Sequence, residues 1–76
     1  MQRQIRNYLA EGRFMEAMVM AKAAIKGLPE QLEFRLLLAD VYAASGKKKL
    51  AVAALEELLA LDPEFPGARA ALDQLD

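Results

Sequence analysis

Displaced along itself by 34 residues, the chain superimposes its scarcest residue types: Tyr8 on Tyr42, Gly12 on Gly46 and Pro29 on Pro63. Only two Tyr, four Gly and three Pro are available for such matches. Their agreement at one spacing therefore weighs more than any number of matched Ala or Leu. Ala10 with Ala44, Ala17 with Ala51, Glu30 with Glu64, Arg35 with Arg69 and Leu38 with Leu72 complete the set. A unit recurring at such a period cannot bury its apolar face alone and stacks on a neighbour. The 76 residues hold about two units, hence one small domain.

The repeated residues are helix punctuation. Gly12 and Gly46 each stand between apolar-periodic segments, where a residue tolerating φ > 0 ends one helix and lets the chain turn. Pro29 and Pro63 follow the next segments and cannot continue a helix interior. These marks predict five helices, over roughly 2–11, 14–27, 30–45, 48–61 and 66–75. Asp62 ahead of Pro63 and Glu64 reads as a helix cap with Pro in the first turn. Short loops make successive helices antiparallel neighbours. Phe34, Leu38, Val41 and Tyr42 share one face, and Val52, Leu55, Leu58 and Leu59 share another. Ala17, Ala21 and Ala24, then Ala51 and Ala54, fall where helices must approach closely.

Composition closes off several functions. There is no Cys and no His, so a disulfide framework, a Cys- or His-based zinc site and a Cys or His nucleophile–base pair are excluded. Ten basic and 11 acidic side chains give a net charge of −1, against the basic face of a nucleic-acid binder. Neither a secretory leader nor a membrane-spanning apolar run is visible, so the chain is expected to be soluble, with the cytoplasm the favoured compartment. No catalytic set converges. Glu56 and Glu57 diverge by about 100° on a helix, Asp73 and Asp76 read as solvated, and Gly46–Lys47 lacks the spacing of a phosphate loop. The expectation is a non-enzyme without metal or cofactor.

The pattern resembles the tetratricopeptide repeat, a helix–turn–helix unit of about 34 residues. With Pro63 set at the repeat's terminal proline, Leu38, Ala39, Tyr42, Gly46, Ala51 and Leu55 all fall on signature positions. Tyr8, Gly12, Ala17, Ala24 and Pro29 do so one period earlier. There are departures: Arg35 stands at a position for a large aromatic, Leu58 at one for Ala, and Ala21 at one for a larger apolar residue. The resemblance implies an all-α fold of antiparallel helix–turn–helix repeats, an α-solenoid of about two repeats plus a C-terminal capping helix. Its parts are a first repeat over 1–31 that lacks its opening residues, a second over 32–65 and the cap over 66–76. Two repeats are fewer than the roughly three that stack comfortably. Either the chain is part of a longer array, or another copy finishes the core.

The resemblance also implies a function. Family members bind peptides in the concave groove lined by the first helix of each repeat. The corresponding partner-binding positions here are Gln2, Arg6, Leu9, Glu33, Leu36, Leu37, Asp40 and Ala43, flanked by Arg3, Ala10 and Ala44. A protein or peptide partner is expected to lay an apolar ridge on the leucines, with Arg6 and Asp40 either paired to each other or setting its orientation. Asp40, Leu36 and Leu37 stand where a carboxylate clamp needs basic or amide groups, which argues against capture of a chaperone C-terminus. The alternative function is self-assembly, with a homodimer completing the short array. Other features stay open in the same way. The polar first helix is either a solvated cap or a partner site. Lys47, Lys48 and Lys49 form either a solvated turn or an acidic-partner contact. Met15, Met18 and Met20 either fill the core or wait for a neighbour.

Overall fold

The computed structural model describes residues 1–75. It contains five helices: α1 (Gln2–Ala10), α2 (Phe14–Gly27), α3 (Glu33–Ala44), α4 (Lys48–Leu61) and α5 (Ala68–Leu75). Among the described residues there is no strand. Each helix packs on the next in sequence, and α1 also reaches α3.

The repeated glycines work through the backbone. At Gly12, φ is +76°, the Arg13 N–H donates to the Tyr8 carbonyl at 2.8 Å, and the Gly12 N–H donates to the Leu9 carbonyl at 3.1 Å. At Gly46, φ is +80°, and the Lys47 and Gly46 N–H groups donate to the Tyr42 and Ala43 carbonyls at 2.8 and 3.2 Å. This pair of bonds closes a helix C-terminus and consumes carbonyls that would otherwise be left unpaired. An added Cβ at Gly46 meets nothing within 4 Å, so its cost comes from the backbone alone. Gly46→Ala is expected to lower the thermal midpoint by roughly 5–10 °C, from about 1–2 kcal/mol of left-handed strain. Gly27→Ala, with ordinary φ and open space around it, is the control and should leave the midpoint level or slightly raised. Equal midpoints for the two variants in a circular-dichroism melt would contradict this account of the turn.

Pro29 interrupts the chain after α2 as expected, but Pro63 does not open a helix. Pro29 and Pro63 lie in turns, closed by the Gln31 N–H on the Leu28 carbonyl at 3.0 Å and the Phe65 N–H on the Asp62 carbonyl at 3.1 Å. Proline's fixed φ suits the second position of such a turn. The helices that follow therefore begin at Glu33 and Ala68, later than the 30 and 66 expected. Asp62 is not the cap of a following helix. Its backbone ends α4, and its Oδ1 accepts the Glu64 N–H at 3.1 Å, which fixes the turn.

Two apolar clusters hold the stack together. Ile5, Ala17, Ala21, Ala24, Phe34, Leu37 and Val41 join α1, α2 and α3. Ala39, Leu55, Leu58 and Ala68 join α3, α4 and α5. The alanines at Ala17, Ala21, Ala24 and Ala51 are buried as expected, and Ala54 is half-buried. Arg35, the departure from an aromatic, spans α3 and α4 instead: its Nη1 donates to the Glu57 carboxylate. Its Nε is buried without a hydrogen-bond partner. Glu57 is exposed, so the pair contributes little beyond the packing of the arginine stem.

Candidate functional site

The expected groove residues divide into three groups. Arg6, Glu33 and Ala43 are exposed, as are the flanking Arg3, Ala10 and Ala44. Gln2, Leu9, Leu36 and Asp40 are half-buried. Leu37 belongs to neither group. It is 2 % exposed, in the first cluster with Ile5 and the α2 alanines, and has no face to offer a ligand. Its place in the expected ligand-binding set is corrected to a core position, because α3 is covered by α2 on one side and α4 on the other. Leu9 packs on the first cluster and Leu36 on the second. Leu36 also lies against the turn before α5, 3.9 Å from where a Gly67 side chain would begin.

Arg6 and Asp40 are brought near one another, though not into an ion pair. Burial raises the Asp40 carboxyl above its ordinary value, and the Arg6 guanidinium offsets part of that rise. Among the described residues the Asp40 carboxylate has no hydrogen bond and no salt bridge within 4.0 Å. The Asp40 oxygens keep access to solvent, so water supplies their donors, and a partner's donor would replace that water.

A second feature lies elsewhere, on α1 and α2. An open, nearly apolar cleft of about 590 Å³ is lined by Met1, Tyr8, Met15, Glu16, Val19, Met20 and Ala23. Met15 is 77 % exposed and Val19 64 %. Sequence reasoning noticed the methionines and missed the cleft. The usable signal was Met15, Val19 and Ala23 at successive four-residue steps, one stripe along a helix. Met18, which shares a helical face with Met15 by spacing, packs on the first cluster instead.

The tyrosines pack as expected, Tyr42 buried and Tyr8 half-buried. Each carries a cation over its ring, Lys22 over Tyr42 at 5.8 Å and Arg13 over Tyr8 at 5.9 Å. Lys47, Lys48 and Lys49 are exposed at the start of α4, which has no acidic residue in its first turn. Ile5 is the residue the sequence hid: the polar first helix buries it completely. Its signal was the repeat itself, since Ala39, 34 residues later, is buried too.

Among the described residues no cluster of three or more acidic side chains could hold a metal ion. No helix there is long and apolar enough to cross a membrane. Asp76 lies outside the described residues. The sequence model of the tetratricopeptide repeat matches residues 8–75. No curated protein and no solved structure matches the chain significantly.

Proposed function

The chain belongs to the tetratricopeptide repeat family, and from that premise we propose that it binds a protein or peptide partner on the face shared by α1 and α3. Family membership supports a protein–protein interaction module, in a family that is generally non-catalytic. The observation that carries the finer reading is Asp40, half-buried, near Arg6 and without a hydrogen-bond partner among the described residues. A cationic or amide group of the partner completes Asp40, Arg6 receives an acidic or carbonyl group, and Leu9 and Ala43 supply apolar contact. Leu37 shapes this surface from beneath without touching the ligand.

Asp40→Asn separates binding from folding. A carboxyl raised by burial gives the folded state its full benefit below the unfolded value near 3.8 and loses that benefit as pH rises through the folded value. Charged Asp40 therefore costs stability at neutral pH. Asp40→Asn is expected to raise the thermal midpoint at neutral pH, with the gain fading on acidification below that range. The same variant is expected to weaken a peptide selected on the wild-type chain by about tenfold or more, the scale of a hydrogen bond to a charged group. Binding unchanged in both Asp40→Asn and Arg6→Ala would remove this face from the account.

A second reading, self-assembly, is favoured by the apolar cleft on α1 and α2, which leaves Met15 and Val19 largely in water. The two readings use different faces and are compatible.

A further inference from the structure

We propose that the α1–α2 cleft is closed by a second copy of this chain, with the two α2 helices crossing antiparallel about a twofold axis at Val19. The inference rests on the self-assembly reading and adds its geometry. Met15, Val19 and Ala23 form a ridge at four-residue steps, the kind that interdigitates between crossing helices. A twofold axis at Val19 brings each residue level with the one equally far along on the other side. Met15 then lies level with the partner's Ala23, so a long flexible side chain enters the space left by a short one. Val19 meets its own counterpart.

The charges of α2 favour the same direction. Near its N-terminus Glu11 and Glu16 face the one guanidinium of Arg13, at 3.8 and 3.6 Å, so two negative charges against one positive leave that end net negative. Near its C-terminus Lys26 is exposed, Lys22 is exposed beside the Tyr42 ring of α3, and the segment from Met20 to Gly27 contains no acidic residue. An antiparallel crossing sets each negative end beside a positive one, and opposes the helix dipoles favourably. A parallel crossing sets the lysine ends together.

The far end of the array is covered by α5, whose Ala68, Ala71, Leu72 and Leu75 pack on the second cluster. Pairing the α1–α2 face with itself, where Met15 and Val19 are exposed, makes the isologous contact that closes as a dimer. Val19 is 64 % exposed, so it can be changed without touching the core.

The test uses the whole chain, in light scattering across a concentration series. The expected mass rises from 8.4 kDa towards twice that value. Val19→Asp, with its helical circular dichroism retained, is expected to weaken the dimer by about tenfold or more, because a charge is forced into an apolar contact. The chain has no cysteine, so Val19→Cys introduces a single thiol. A short bis-maleimide should link it to its counterpart in a covalent dimer, while Ala53→Cys, exposed on α4, should stay unlinked. A monomer at every concentration overturns the dimer and the self-assembly reading together. A dimer indifferent to Val19→Asp, with no link through Val19→Cys, overturns the α2 axis and leaves self-assembly standing.

Discussion

Leu37→Ala is expected to lower the thermal midpoint by about 10–30 °C and to leave much of the chain unfolded at physiological temperature. Leu37 is 2 % exposed and touches the cluster that ties α1, α2 and α3 together. Truncating such a leucine costs about 2–5 kcal/mol, as lost transfer energy plus an unfilled cavity. A domain of this length has a total stability of roughly 4–11 kcal/mol, and each kcal/mol moves the midpoint by about 4–8 °C. Two helix contacts weaken at once, since the cluster around Leu37 joins α3 to both α1 and α2. Leu36→Ala, one residue away and half-buried, should cost markedly less. A circular-dichroism melt of the two variants decides the matter. Equal losses would mean that Leu37 is not the core residue described above, and would return it to the binding face.

Ala21→Leu is the second large effect, in the opposite steric direction. Ala21 is fully buried in the same cluster, on the α2 face that meets its neighbours. Helix axes approach to about 8–10 Å according to the side chains between them, and alanine permits the near end of that range. Ala21 has no exposed surface, so three extra carbons have to displace the side chains or helices around it. The expected cost is about 1–3 kcal/mol, or more if the helices cannot shift. Ala53→Leu is the matched control, because Ala53 is exposed on α4 and an exposed substitution stays within about 0.5 kcal/mol. Chemical denaturation of both variants measures the difference. An Ala21→Leu chain as stable as Ala53→Leu would show that α2 is loosely packed.

How much of this was legible beforehand depends on which physical demand a residue answers. Gly12 and Gly46 could be read because positive φ is a backbone requirement that few residues meet, so the signal survives a composition rich in Ala and Leu. Both prolines marked the right loops, but Pro63 sits in a turn and not in the first turn of a helix. A proline fits the first turn of a helix or the second position of a tight turn equally well, and both start with the same residues. Only the hydrogen bond closing the turn separates them, and it displaces the start of α3 to Glu33.

Burial was harder to read than punctuation. Leu36, Leu37 and Leu38 are consecutive, so their side chains fan over about 200° of a helix. Periodicity cannot rank them when the helix is covered on two sides. Ile5 was masked by the polar residues around it, although the repeat makes it the equivalent of buried Ala39. The cleft was hidden for a different reason. Met15 and Val19 carry the same apolar signal as core residues, and only the arrangement of helices reveals that they are exposed among the described residues. Of the expected site, the Arg6–Asp40 neighbourhood was visible from the repeat because equivalent positions of stacked units adjoin. The partial burial of Asp40 depends on packing around α3, which a single sequence does not encode locally.

The most direct test of the central claim is a map of amide chemical shifts in the labelled chain during titration with a peptide selected on it from a display library. Binding on the face of α1 and α3 predicts the largest changes at Arg6, Leu9, Asp40 and Ala43, with Val19 and the α4 surface unmoved. Changes confined to α2 and α4, with Arg6 and Asp40 silent, would contradict it.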